Sequence, residues 1–398
     1  MLDVLYQKIG ELAGTLVNPI WKRILALSWI GRFAILLFML GSVLIATHVE
    51  QAMSLADEGA TLARVGWAAS SKIPLAAPVV AKVSDTAKRI AASLEADLGR
   101  PGQKDTQVWP IAQAAVGSHG LVDIDWDYLI KFMRASAEPD CNCWKDYKGT
   151  SLPRNIPASG WVIFCLAEID TPATSGEINF LLDEQASEGW WSVFPVDEGD
   201  GEYASTYGTS WALLALQNQL SKKLIGDNQI QAVSAALSRG ASWLLAKRTP
   251  GARWKDYPLN PNGRFSESLS GLALHTLHTI APNKLRSIDQ EWLDNLPESA
   301  PSASDADNDY YWIHSKDGNH LDGYVQVRLP WMLIATVDAY PIGNILQRAK
   351  ALQWLESAVQ QQSVEAADTE PTNWWRAELL YALKHVLKSS AVAEPSAP

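Results

Sequence analysis

The sequence predicts an all-α protein built from six copies of one two-helix unit over residues 80–388. Three observations carry this expectation. An anchor position followed by an apolar run recurs at Trp109, Trp161, Trp211, Leu272, Trp331 and Glu378, which lie 52, 50, 61, 59 and 47 residues apart. An aromatic-Leu pair recurs ahead of the later anchors: Tyr128-Leu129, Phe180-Leu181, Trp243-Leu244, Trp292-Leu293 and Trp354-Leu355. Between the two lies a loop with a further Trp, and Trp144-Lys145-Asp146-Tyr147 returns word for word as Trp254-Lys255-Asp256-Tyr257. A period longer than one helix marks a unit that cannot bury its apolar face alone and stacks on its neighbours.

The segments follow in order. Residues 1–23 carry Lys8, Lys22 and Arg23 and read as a cytoplasmic N-terminal segment. The apolar run Phe33–Thr47, extended back to Ile24, reaches the ~20 residues of a membrane span, with Arg32 as its one internal charge. Basic residues before it and Glu50, Asp57 and Glu58 after it predict a single-pass inner-membrane protein, anchored by residues 24–48, whose C-terminal body faces outward. A buried helix and a cleavable signal peptide are the alternatives. Residues 49–79 read as a stalk interrupted by Pro74 and Pro78, and 389–398 as a disordered tail.

Composition excludes several classes. A formal charge of −11 argues against sequence-independent nucleic-acid binding, which needs Lys and Arg to displace phosphate counterions. With 47% apolar and 19% charged residues the chain can bury a large core. Its 18 Trp exceed what packing anchors need, leaving some for stacking on a sugar or isoprenoid. Cys165 sits in an apolar run as a small core residue, whereas Cys141 and Cys143 could pair, bind metal or do neither.

Gly176-Glu177-Ile178-Asn179-Phe180-Leu181, then Gln185, then Gly189-Trp190-Trp191, resembles the QW motif of the squalene cyclase and protein prenyltransferase superfamily. A second copy reads Arg239-Gly240, Trp243-Leu244, Arg248, Gly251 and Trp254, with Arg in place of Gln. Tyr203 to Leu216 resembles the inner helix that follows such a motif. The resemblance implies an (α/α)6 toroid, six inner helices around a central cavity within six outer ones. Gln185, Trp191 and Trp254 then have a structural role, in which the amide satisfies backbone groups at a helix end and the indole covers it. The superfamily's catalytic signatures are missing. No Asp-x-Asp-Asp acid occurs, and the acidic clusters Asp123–Asp127 and Asp305–Asp309 have the wrong spacing and read as loops or helix starts. Asp140, Cys141 and Cys143 with His275, His278, His314 or His320 do not reproduce the prenyltransferase zinc spacing, and His275 is as well explained as a hydrogen-bonded core histidine. No metal or other cofactor is expected, and the thioester, phosphate-loop and Rossmann motifs are absent.

A site is therefore expected where the inner helices begin. Alignment on the anchors sets Thr206, Glu267 and Gln326 at one position, five before the anchor. Tyr203, Tyr207, Arg264, His320, Asp322, Tyr324 and Arg328 lie nearby in sequence. Glu267 and Asp322 are the candidate acid and base, and the others candidate ligand contacts; each could equally cap a helix or satisfy a loop. The function expected is binding of an isoprenoid or lipid-linked ligand in the cavity of an envelope protein. A glycan hydrolase or lyase using cavity carboxylates, and a scaffold within an envelope complex, are the alternatives.

Overall fold

The computed structural model describes residues 72–99, 108–145, 154–195, 201–261, 263–301, 308–314, 321–361 and 373–392, with positions 61 and 65. Residues 1–63 and 64–398 form separate units, and the second is described below. Its helices are α1 Ala77–Gly99, α2 Trp109–Ser118, α3 Trp126–Ala135, α4 Ile156–Glu168, α5 Ser175–Asp183, α6 Thr206–Ser221, α7 Asp227–Lys247, α8 Glu267–Ile280, α9 Arg286–Asp294, α10 Arg328–Ala339, α11 Ile345–Gln361 and α12 Asn373–Ser389. The fold is predominantly helical, as the repeat predicts.

The helices form two classes. The even-numbered ones carry the six anchors: Trp109, Trp161, Trp211, Leu272, Trp331 and Glu378 lie on α2, α4, α6, α8, α10 and α12. Each packs on the next, and α12 packs back on α2, so the six close on themselves. Most are apolar nearly all round: every residue of α4 from Ile156 to Ala167 is buried, as suits a helix covered on all sides, whereas α12 also carries Arg376, Lys384 and His385. The odd-numbered helices lie outside them and are one-sided. In α3 only Leu129 and Met133 are buried, both on one face, and the aromatic-Leu pairs fall on α3, α5, α7, α9 and α11.

Close approach within the inner layer depends on glycine. A Cβ on Gly160 of α4 would stand 2.9 Å from the carbonyl oxygen of Trp211 on α6, and one on Gly271 of α8 would stand 2.5 Å from that of Trp331 on α10. Any larger residue would wedge these helices apart.

The loop tryptophans join the layers in one repeated pattern. The indoles of Trp144, Trp191 and Trp254 donate to the carbonyls of Met133, Leu181 and Leu244, each near the end of the preceding outer helix, at 2.9, 2.7 and 2.9 Å. Their backbone amides donate to Ser159 Oγ, Thr209 Oγ1 and Ser270 Oγ in the following inner helix, each at 2.9 Å. All three rings are fully buried. Gln185 donates through Nε2 to the carbonyls of Gly189 and Ala236, both at 3.0 Å, and receives Arg239 through its oxygen. One hairpin is thereby tied to the next, the structural role expected of Gln185, Trp191 and Trp254.

Four expectations change. No helix among the described residues is long and apolar enough to cross a membrane, so a single-pass inner-membrane location is not upheld; residues 24–48, on which it rested, lie outside the described residues. The all-α fold carries short strands that periodicity did not predict. Strands β1 Ile73–Leu75, β2 Trp254–Lys255, β3 Phe265–Ser266, β4 Asn308–His314, β5 Leu321–Val327 and β6 Ser390–Val392 make three small two-stranded pairings, of which β4 and β5 form an antiparallel ladder between α9 and α10. That insertion accounts for one of the two long anchor spacings. Residues 73–75, assigned to the stalk, and 390–392, assigned to the tail, pair in parallel register from Ile73 with Ser390 to Leu75 with Val392. Residues far apart in sequence satisfy one another's backbone groups there, a pairing that local periodicity cannot reveal. Finally, Pro78 is the second residue of α1, where its missing amide proton costs little, and does not break the helix.

Candidate functional site

The beginnings of the inner helices are held mainly by capping. Asn155 accepts from the Ala158 amide, Ser205 from Gly208 and Ser266 from Leu269, at 2.8, 3.2 and 3.1 Å. Thr206 is fully buried and donates to the Lys255 carbonyl at 2.6 Å. Tyr207 is buried, its ring edge-on to Trp211, and Tyr203 lies in a short 3-10 turn before α6. Arg264 is exposed beside β3, and its backbone amide donates to Asp256 Oδ1 at 2.7 Å. Asp322, Tyr324 and Gln326 belong to β5, opposite Ile313, Tyr311 and Asp309, so Gln326 is not the counterpart of Thr206 and Glu267, which open helices. His320 lies outside the described residues. The structure does bring Glu267 to Arg328, at 3.5 Å. Glu267 also lines a cleft of about 170 Å³ with Arg253, Ser270, Trp292, Leu296 and Met332, set between the inner and outer layers.

The other ends of the inner helices carry a denser set of ionisable groups. His275 on α8, Asp338 on α10 and His385 on α12 converge from three successive inner helices. Asp338 accepts from His275 Nδ1 through one oxygen and from His385 Nε2 through the other, both at 2.7 Å. The Tyr381 hydroxyl stands 3.4 Å from His275 Nε2. The side chains of His275, Asp338 and His385 are 9, 13 and 21% exposed, so the group is sunk but open on one side. Burial opposes the Asp338 charge, yet the two histidines overcome it and hold the carboxyl well below the ordinary range. Burial in turn lowers His275, against the pull of Asp338. Tyr381 is raised by burial and by the charges of Glu168 and Asp338, so its phenol stays protonated.

Around this group, Lys384 donates to the carbonyls of Val116 and His119 at the end of α2, at 3.1 and 2.8 Å. Burial lowers its pKa, while Glu168 at the end of α4 acts the other way. Glu168 accepts from Asn218 of α6 at 2.7 Å. His119 is lowered by burial and by Lys384. On the outer side of α8, His278 Nε2 pairs with the buried Asp289 of α9 at 2.8 Å. Burial disfavours its charge, but the bond to Asp289 prevails and raises its pKa.

Beneath lies a cluster of aromatic rings that spans the inner layer. Trp161 and Trp211 lie 3.6 Å apart between ring centroids, and Trp211 and Trp331 5.6 Å. Phe164 meets Tyr381 at 6.1 Å, and Tyr381 meets His275 and Trp331, each at 6.3 Å. The pairs α4–α12, α6–α10 and α8–α12 are not neighbours around the layer, so these rings meet across its middle. The cavity expected there is occupied at this level by the repeat's own anchors.

Sequence reasoning singled out His275 and His278 but not Asp338, His385, Tyr381 or Lys384. A signal was present: after its first residue, Arg328, the apolar helix Arg328–Ala339 has Asp338 as its one charge, and Tyr381, Lys384 and His385 share a helical face at spacings of three and four. The prenyltransferase-like set that sequence weighed is not assembled, because Cys141 and Cys143 are joined in a disulfide. Cys165 is buried with its thiol pKa raised by burial, in keeping with a core residue.

No family model matches the chain, and no curated protein matches it in sequence. Among solved structures it is similar to ent-copalyl diphosphate synthase from Streptomyces platensis, with a TM-score of 0.50 and 16% identity over 71% of this chain. The likeness takes in 50% of that protein's length. At this identity it speaks for the fold alone: the chain has an all-α, terpene-cyclase-like fold.

Proposed function

We propose that this protein is an (α/α)6 toroid with QW-type ties that binds an isoprenoid-class ligand at the end of the inner layer where α4, α8, α10 and α12 finish. The observation that carries the reading is the stacking of two kinds of surface at one place. Tyr381, packed against the buried Phe164 and Trp331, offers an aromatic face suited to an unsaturated hydrocarbon. His275, Asp338 and His385 beside it offer hydrogen bonds and charge for a polar head. The fold similarity to ent-copalyl diphosphate synthase favours an isoprenoid over other apolar ligands. Without an Asp-x-Asp-Asp acid, the reading is of binding, with catalysis by protonation of an alkene left out.

Titration with a soluble isoprenoid diphosphate, followed by tryptophan fluorescence and native mass spectrometry, tests this. The expected result is saturable quenching with one ligand bound, lost in Tyr381→Ala and kept in Glu267→Gln. Loss in Glu267→Gln alone would move the site to the cleft beside Arg328, and no saturable binding would overturn the proposal. A scaffold is the second reading, favoured by the ring-filled middle of the inner layer; it predicts no small ligand at either place.

A further inference from the structure

We propose that His275, Asp338 and His385 form a binding site for one divalent transition-metal ion of the zinc class. The inference stands apart from the ligand reading above, since metal binding is measured with no organic ligand present. One ligand atom from each residue, His275 Nδ1, an Asp338 oxygen and His385 Nε2, lies within 4.8 Å of the other two. They come from three adjacent inner helices, whose packing fixes their separation more firmly than loops would. Two imidazoles and one carboxylate around an open position is the ligand set of catalytic zinc and of non-haem iron sites.

Three further features fit an ion better than a closed hydrogen-bonded triad. Among the described residues the ion-pair partners of Asp338 are the two histidines alone, so no Lys or Arg neutralises a largely buried carboxylate, which ordinarily requires a cation. His275 reaches Asp338 through Nδ1 while its Nε2 faces the Tyr381 hydroxyl at 3.4 Å. That is the outer partner a metal-bound imidazole uses to fix its tautomer. The group is also open on one side, where His385 is most exposed, leaving a fourth position for water or a ligand oxygen. On loading, the ion replaces the two hydrogen bonds to Asp338. Each imidazole then carries one proton on the nitrogen away from the ion, Nε2 of His275 facing Tyr381 and Nδ1 of His385, and any further proton on the ligating nitrogens is released to solvent. The nitrogen–oxygen separations of 2.7 Å must widen by several tenths of an ångström to span ligands each ~2.0–2.2 Å from a zinc ion.

The test uses the full chain stripped with a chelator and titrated with Zn2+ by calorimetry and with Co2+ by visible absorption. One equivalent is expected, with the intense d–d bands of a four- or five-coordinate Co2+ ion that Zn2+ displaces and excess Mg2+ does not. Asp338→Asn and His385→Gln each weaken binding by about 100-fold or more, beyond what loss of an outer partner gives. His278→Gln leaves binding unchanged, since that imidazole pairs with Asp289. Far-ultraviolet circular dichroism checks that each variant is folded; should Asp338→Asn not fold, the half-buried His385→Gln decides alone. Absence of stoichiometric binding to the intact protein, or equal affinity in the folded variants, overturns the proposal and leaves a proton-sharing His–Asp–His group.

Discussion

The two ends of the inner layer use polar side chains in opposite ways. Where the inner helices begin, Asn155, Ser205, Thr206 and Ser266 turn inward to backbone groups, and Ser159, Thr209 and Ser270 receive the amides of the loop tryptophans. Where the helices finish, His275, Asp338, His385 and Tyr381 face one another. The cause is the direction of the helix. Its first amides need oxygen acceptors, and short side chains a few residues away supply them. At the other end the orphan groups are carbonyls, and the Lys384 ammonium serves two of α2's at once, which leaves long side chains from the other helices free to meet. Polar residues at the first end are therefore a poor guide to chemistry, and those at the second a better one.

The contrast predicts the largest stability losses at the first end, where side chains and glycines fasten the helices through their backbone groups. Trp191→Ala removes a buried ring and orphans the Leu181 carbonyl, and should cost about 3–5 kcal/mol, read from the denaturant midpoint; a loss under ~1 kcal/mol would sink the idea that the loop tryptophans fasten the layers. Gly160→Ala forces a methyl against the Trp211 backbone and should cost about 1–3 kcal/mol by the same measurement. Asn155→Ala removes one cap and should cost about 1 kcal/mol.

A pH series sharpens the contrast at the second end. His278 is raised by Asp289 despite burial, so its pair stabilises the fold fully below the unfolded histidine value of about 6.5 and ceases to do so as pH climbs through the elevated folded value. The Tm of the native protein should exceed that of His278→Gln at acidic pH, with the gap closing toward alkaline pH; a gap that widens would show the pair to be neutral. The smallest effect belongs to Glu267→Gln. Its carboxylate is 41% exposed and faces Arg328 at 3.5 Å, so less than about 1 kcal/mol is expected, and a larger loss would mean that this rim is built around the pair.

Much of this was legible from residues alone. The spacing of the anchors located all six inner helices, and the aromatic-Leu pairs located five outer ones, because a buried helix and a one-sided helix carry different apolar patterns. The structural roles of Gln185, Trp191 and Trp254 were implied instead by the QW-motif resemblance of their surroundings, and their hydrogen bonds to neighbouring helices agree with such roles. The site was less so. Thr206 and Tyr207 looked like rim residues, but a side chain at a helix start turns inward or outward according to what packs over it, and here Lys255 and Trp211 decide.

What the sequence determined by itself is the unit: two helices, one apolar all round and one half apolar, repeated until their faces are covered, because that pattern is inscribed within a few turns of chain. Only the tertiary structure decided what the units enclose. Trp161, Trp211 and Trp331 are anchors in three separate repeats, and their meeting depends on how closely the glycines let the inner helices approach. His275, Asp338 and His385 are separated by 63 and 47 residues, and only the packing of successive inner helices makes them neighbours. Contacts across a closed ring have no signature in local periodicity, since each partner is chosen against residues dozens of positions away.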